Sequence, residues 1–433
     1  MQGWISLAIH ASLALAQFGQ GLENLLDGNA LTCDLPNGRK SKFPLLDDAV
    51  QIRSPWIDDE LVLVQDQISR FIARDLAPQA QRWERDRQVD RQSWCKAAEA
   101  GLICTSIPEV YGGGGGTLAH EAIIQQELAR AGLGGTFGVC ISIQSAIVAN
   151  YILAYGTEAQ KQRWLPAMAR ADLIAAMAMT EPGAGSNLQN IRTRATPTLG
   201  GYRLTGQKTF VGNGQIANLV LVAARTKEAA GSTSISLLAI ETETAKGFQR
   251  GGTLEKLGVR VQDTSELLFD DVFVPHENLL GGEPGNGFAQ LMDQLAWERM
   301  VIALNATVAM ERAVELTVAY VRQRMAFGSR LIDYQNPLFV LGDAKAQASV
   351  SRELVDSLMV KLLGGSLDAT QAAIAKLWTT ETAFKVIDAC QQLFSGYGYM
   401  DDYPIARLLA DAQVARVQGG ANEIMKLIIA RSL

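Results

Sequence analysis

The stretch Met177-Ala178-Met179-Thr180-Glu181-Pro182-Gly183-Ala184-Gly185-Ser186-Asn187 passes from an apolar, strand-like run into a turn rich in glycine and hydroxyl groups. Thr180 and Ser186 offer O–H groups, and Gly183 and Gly185 let backbone approach a flat ligand closely. The segment reads as a ligand-facing turn at a strand end, and it sits where the periodicity of the chain changes. Upstream, from Ile57 to about Arg170, the spacing is helical: in Glu60 to Leu76, the residues Leu61, Val64, Ile68, Phe71 and Ile72 mark one face. His120 to Arg130 and Ser142 to Tyr155 repeat the pattern. Downstream, from about Asp172 to Leu280, Asn218 to Ala223, Ser234 to Ile240 and Glu266 to Phe269 are strand-like, with turn signals at Leu199-Gly200-Gly201 and Asp270-Asp271. That middle region predicts a β-sandwich or barrel. From Asn286 long helical periodicity returns and runs on to Leu433. Helix, strand and helix in sequence blocks predict an α+β chain of separate layers and argue against a doubly wound sheet. The expected divisions are an arm over 1–55, a helical domain over 56–170, a β domain over 171–283 and a second helical domain over 284–433.

At 433 residues the chain is too long for one ordinary core, so two or three domains are expected. With 48% hydrophobic and 19% charged residues it groups with soluble globular chains. A formal net charge of −6 argues against a nucleic-acid binder, while a few local arginines would still suffice for an anionic thioester. Cys33, Cys95, Cys104, Cys140 and Cys390 show no CxxC spacing and read as buried thiols of a reducing compartment, here the cytoplasm. His10, His120 and His276 have no paired spacing, so no metal site and no His-based nucleophile are expected. Trp4 to Phe18 is apolar and Ala14-Leu15-Ala16 resembles a cleavage site, but no Lys or Arg precedes it and the run is too short for a membrane span. The first fifty residues are read as a lineage-specific arm or the product of an early start, with Cys33 to Lys42 as a loop. Gly112 to Gly116 lacks the spacing of a phosphate loop and is read as a plain loop.

The Met177–Ser186 block has three companions: Gly206-Gln207-Lys208-Thr209-Phe210-Val211-Gly212-Asn213-Gly214, then Arg324-Met325-Ala326-Phe327-Gly328 followed by Gln335, then Gln392-Leu393-Phe394-Ser395-Gly396-Tyr397-Gly398-Tyr399. Alone, Lys208 to Asn213 reads as a hairpin turn and Arg324 as a surface residue at a helix end. In this order the blocks resemble the flavin-binding elements of the acyl-CoA dehydrogenase family, and the likeness covers roughly Ile57 to Leu433. The resemblance implies an N-terminal helical domain, a β middle domain, a C-terminal four-helix bundle, an FAD cofactor and a homotetramer. It implies Met177, Met179, Thr180, Gly185, Ser186, Phe210 and Gly212 around the flavin ring. Arg324, with Phe327 and Gln335, is implied at the cofactor pyrophosphate across a subunit boundary, where a delocalised, always-charged fork suits a diphosphate. Gln392 and Gly396 are implied at the ADP half, and Glu423 is a further cofactor contact.

Proton removal next to a thioester carbonyl needs a positioned carboxylate with a pKa raised by an apolar pocket. Many members of the family carry it in the tail, but here the tail reads Gln418-Gly419-Gly420-Ala421-Asn422-Glu423-Ile424, with Gly419 in the glutamate's place. Upstream, Phe288, Leu291, Leu295, Glu298 and Ile302 recur at steps of three and four, so Glu298 falls on an inward stripe. Periodicity alone leaves open an internal ion pair with Arg299. Leu295-Ala296-Trp297-Glu298-Arg299 resembles the long-chain and isovaleryl branches, which place their base on this helix and a glycine or alanine in the tail. The resemblance implies that Glu298 takes the pro-R alpha hydrogen as a proton while the beta hydrogen leaves as hydride to flavin N5. The Gly419 N–H and a ribityl hydroxyl would hold the carbonyl oxygen. Ser186, Arg299 and Gly420 are implied at the substrate, and Glu423 is a weaker contender for the base.

Some positions depart from the family pattern. Gly212 stands where a Thr or Ser hydroxyl usually bonds the flavin near N5, Asn187 replaces a common Asp, Ala421 a Thr, and Ser395 a frequent glycine. The leading expectation is an acyl-CoA dehydrogenase that passes electrons to electron-transfer flavoprotein. A dehydrogenase of acyl-carrier-protein thioesters, an oxidase, or an inactive flavin-binding scaffold are the alternatives.

Overall fold

The computed structural model describes residues 53–226 and 234–433, together with strands β1 (Thr32–Asp34) and β2 (Lys40–Lys42), which pair antiparallel. The two ends of the loop expected over Cys33 to Lys42 are thus paired strands, and the stretch between them lies outside the described residues. The apolar run Trp4–Phe18 lies outside the described residues, as does most of the expected arm.

The first helical layer holds α1 (Asp59–Phe71), α2 (Arg91–Glu99), α3 (Leu118–Arg130), α4 (Gly134–Tyr155) and α5 (Glu158–Ala169). Side chains of Asp58, Asp90, Thr117 and Thr157 cap four of them by accepting backbone N–H groups, which sets where each begins. α4 is long and apolar enough to cross a membrane, but most of its side chains are buried within the protein. Its middle, Ser142–Ala149, widens into π-type turns, a form concentrated at functional sites. The glycine run Gly112–Gly116 is a tightly packed loop, since a side chain at Gly113 would run into the backbone of Ile107.

The middle layer is a mixed sheet of β3 (Ala175–Ala178), β4 (Arg194–Thr198), β5 (Gly201–Val211), β6 (Leu219–Arg225), β7 (Ile235–Glu241), β8 (Phe248–Thr253) and β9 (Ser265–Pro275). The order is β3-β6-β4-β5-β9-β8, with β7 also on β6. β4 meets β6 at a single pair, Arg194 with Arg225, so the sheet behaves as two halves joined at one point. Val220, Val222, Leu238 and Ile240 pack with Leu204, Leu267 and Phe269 of the other half. Their alternating neighbours Leu219, Leu221, Ile235 and Leu237 face the helices. Burial on both faces explains why β6 and β7 read as unbroken apolar runs. The turn expected at Asp270-Asp271 is instead a bulge inside β9, where the two residues oppose Thr205 and Asp271 takes φ 52°.

The last layer holds α6 (Gly287–Gln323), α7 (Gln335–Leu363), α8 (Ala369–Leu393), α9 (Pro404–Ala415) and α10 (Asn422–Ala430). α6 serves two cores. Leu291, Met300, Val301 and Leu304 pack with the first helical layer and the sheet, while Met310, Ala313 and Val314 pack with Ala383, Val386, Ile387 and Ile405. Glu298 lies on the first of these halves. Ser54 and Trp56 donate to Asp356 of α7 at 2.8 and 2.9 Å, fastening the start of the helical domain to the bundle.

Candidate active site

The turn after β3 and the end of β5 are stitched together. Lys208, wholly buried, donates to the Met179 carbonyl at 2.8 Å and to Glu181 at 2.9 Å. Thr209 N–H donates to the Thr180 carbonyl at 2.9 Å. Burial alone would raise the Glu181 pKa, but Lys208, Thr193 and the Arg192 N–H hold it below the usual carboxylate range. Burial draws Lys208 down to about 8 against the pull of Glu181, so the pair stays charged at neutral pH. The stitch presents Phe210, which is 69% exposed and sits at φ 57°. Met177, Met179 and Thr180 are half-buried beside it, and Gly185 and Ser186 are exposed with open space over Gly185. Among the described residues, the Thr180 and Ser186 hydroxyls have no hydrogen bond within the protein. An exposed aromatic ring on strained backbone, free hydroxyls and open glycines fit a flat, polar-edged cofactor.

The second grouping lies on α6 and the tail. Glu298 is buried, and its one hydrogen-bond partner among the described residues is Tyr151 of α4, whose hydroxyl donates to Oε1 at 2.9 Å. Burial raises the Glu298 carboxyl to about 7, with the Tyr151 bond and the Arg299 charge opposing. Arg299 is not engaged in an ion pair with it; the Arg299 Nε instead faces the Gly419 carbonyl at 3.5 Å. Gly419 sits at φ 65° against Ile302, one helical turn beyond Glu298, close enough that a Cβ at 419 would lie 2.5 Å from Ile302 Cδ1. Gly419 and Glu298 are therefore brought together. Among the described residues, the N–H groups of Gly419 and Gly420 donate to no protein acceptor. Glu423 is exposed on the first turn of α10.

The third and fourth motif blocks also meet. The Arg324 guanidinium lies over the Tyr397 ring at 5.4 Å. Phe327, 98% exposed, has φ 48°, and Ser395 has φ 55°, which explains the usual preference for glycine there. Gln335, Gln392 and Gly396 are exposed in the same blocks. Within one chain the motifs thus form two pairs, one at the β3–β5 stitch and one at the α6–α8 end.

A cavity of about 720 Å³ starts at Ile302 and Gln418, beside Gly419, and continues along α6 past Asn305, Ala306 and Ala309 to Arg312. The stretch of α6 from Ile302 to Arg312 rises about 15 Å. Small residues such as Ala306, Ala309 and Gly135 share the cavity's lining with the charged Glu84, Arg85, Arg407 and Asp411.

Family models for the acyl-CoA dehydrogenase N-terminal, middle and C-terminal domains match residues 58–172, 176–272 and 285–433. The chain belongs to the acyl-CoA dehydrogenase family. It is 40% identical over 373 residues to the mitochondrial long-chain specific acyl-CoA dehydrogenase of Rattus norvegicus, covering 86% of each chain. An acyl-CoA dehydrogenase structure from Geobacillus kaustophilus superposes with a TM-score of 0.85 at 40% identity, over 88% of this chain and 99% of that one. A chain from a structure of the electron transferring flavoprotein of Acidaminococcus fermentans superposes with a TM-score of 0.81 at 30% identity, over 87% and 98%. As an acyl-CoA dehydrogenase the protein is an FAD-dependent oxidoreductase.

Against that family pattern, the space a side chain at Gly212 would take is filled by the Gln262 amide, 2.5 Å from an added Cβ, and by Ile143 at 2.6 Å. Gln262 and Ile143 thus occupy the space that a larger residue at 212 would need. Ala421 begins α10 without a side-chain cap, the cost of replacing threonine. Sequence reasoning missed Tyr151, Lys208 and Lys376. For the two lysines a signal existed: Lys208 falls in the inward phase of β5 with Tyr202 and Leu204, and Lys376 in the inward stripe of α8 with Ala372, Ala375, Thr379 and Ala383.

Proposed function

We propose that the protein catalyses alpha,beta-dehydrogenation of a long or branched acyl-CoA to the trans-2-enoyl-CoA, with Glu298 as the base. One observation carries the reading: a buried carboxylate, poised near neutrality, lies one helical turn from Ile302, which packs against Gly419. The N–H groups of Gly419 and Gly420 have no protein acceptor among the described residues, and Ile302 and Gln418 line a cavity that runs on along α6. Glu298 takes the alpha proton onto a carboxylate oxygen, and Tyr151 and Arg299 moderate its basicity. The Gly419 N–H holds the thioester oxygen as charge develops there. FAD, when bound, supplies the acceptor for the beta hydride. Met177, Met179, Thr180, Gly185, Ser186, Phe210 and Gly212 would hold its ring, and Arg324, Phe327, Gln335, Gln392, Gly396 and Glu423 its remainder, contributed from two subunits. Arg299 acts on substrate through the Gly419 carbonyl, with Ser186 and Gly420 at the thioester.

A homotetramer is supported by the exposed apolar side chains Phe339, Val350 and Val360 on α7 and Trp378 on α8. Electron-transfer flavoprotein is the proposed acceptor. Cys104, Cys140 and Cys390, free and buried, support a reducing compartment, for which we propose the cytoplasm. The test is an anaerobic titration of the FAD-loaded protein with acyl-CoAs from four to eighteen carbons, following oxidised-flavin absorbance. The cavity predicts bleaching by the long members. Bleaching by none, with flavin bound, would overturn the reading.

A further inference from the structure

We propose that Lys376 is a positioning residue for the reaction: its ammonium, through the Gly420 carbonyl and the Asn422 side chain, holds the Gly419–Gly420 turn in the orientation that presents the Gly419 N–H to the substrate carbonyl. The inference rests on the reading of Gly419 as the holder of the thioester oxygen.

Lys376 is wholly buried on α8, and among the described residues no carboxylate lies within ion-pair distance of it. Its Nζ donates to the Gly420 carbonyl at 2.9 Å and to Asn422 Oδ1 at 2.7 Å. Asn422 is fixed in turn, donating through Nδ2 to Thr380 Oγ1 at 3.0 Å and to Glu381 Oε1 at 2.7 Å. On the other side of the turn, Arg299 Nε faces the Gly419 carbonyl. Two cations thus engage two successive carbonyls. In a trans peptide the C=O and the following N–H point in opposite directions, so drawing the Gly419 carbonyl toward Arg299 turns the Gly420 N–H away from it. Lys376 fixes the next plane, so the two planes that follow the Gly419 N–H are held and the Gln418–Gly419 plane that carries it is constrained through the Gly419 Cα.

The turn needs such a hold. Gly419 and Gly420 take φ 65° and 96°, a stretch with little steric preference of its own. A buried ammonium is costly where an apolar side chain of like volume would do, so its presence calls for a role beyond packing. Burial and the nearby Arg299 draw Lys376 down to about 8, with Glu381 and Glu423 opposing, which leaves it protonated at neutral pH.

The test uses the FAD-loaded, full-length enzyme with a 3-thia-acyl-CoA carrying ¹³C at the thioester carbonyl, which binds but has no beta C–H to give up. Isotope-edited infrared spectra read the carbonyl directly. In the wild type the stretch should fall below its value in water. In Lys376→Met it should return most of the way, with kcat on an oxidisable acyl-CoA falling by about 10²-fold and KM nearly unchanged. Asn422→Ala keeps the Gly420 contact and should give a smaller change of the same kind, and it decides the matter if Lys376→Met does not fold. A variant with a lower melting temperature but wild-type carbonyl frequency and kcat per bound flavin would overturn the proposal. A wild type with no carbonyl shift would overturn the Gly419 reading and the role of Lys376 together.

Discussion

Glu181 in the turn after β3 and Glu298 on α6 are almost equally buried, at 7% and 6% exposure, yet their surroundings send them in opposite directions. Glu181 receives Lys208 at 2.9 Å together with the N–H groups of Arg192 at 2.6 Å and Thr193 at 2.9 Å, and it stays ionised. Among the described residues Glu298 receives only the Tyr151 hydroxyl, and burial raises it to about 7. Exposed area alone therefore does not set the direction of the shift: Glu298 is the more completely desolvated of the two, and it lacks the ion pair and the backbone donors that Glu181 has.

The comparison breaks most sharply at the chemistry. Glu298→Gln should cut flavin reduction by acyl-CoA by about 10³-fold or more while FAD stays bound, as stopped-flow absorbance would read. At Glu181 the loss should appear in stability instead. Lys208→Met leaves a buried charge without its partner and should cost about 3–5 kcal/mol in denaturant unfolding, with loss of flavin; replacing both by apolar residues should recover most of it.

The two sites should also differ in the sign of their pH dependence. Glu181, lowered in the fold, contributes stability that is present above its ordinary value of 4.5 and lost as pH falls through its folded pKa. Glu298, raised from 4.5 to about 7, contributes stability present below 4.5 and lost as pH rises through 7. Glu298→Gln should therefore unfold later than the wild type at pH 8, by about 3 kcal/mol, and gain nothing at pH 4. The smallest effect lies at the tail: Ala421→Thr supplies the missing cap of α10 and should add about 1 kcal/mol, seen as a modest rise in melting temperature.

The layers were legible because helical and strand periods switch where the chain changes layer, and Glu298 was legible because it breaks an apolar stripe. The same rule points to Lys208 and Lys376, whose phases are equally clear. Tyr151 could not be read, since nothing local links it to a carboxylate 147 residues away. The Asp270-Asp271 bulge resembles a turn because both need a residue that tolerates positive φ, and only the β5–β9 register tells them apart. Cavity depth depends on how α6, α9 and the turn before α4 pack, a long-range outcome that no single stretch encodes.

The most direct test of Glu298 as the poised base is the pH profile of anaerobic flavin reduction in the wild type and in Tyr151→Phe. The rate should rise with pH and level off above about 7, where the carboxylate is ionised. Removing the hydroxyl that stabilises the charged form should move that midpoint upward by about one unit. A flat profile, or a midpoint that stays in place in Tyr151→Phe, would contradict the assignment.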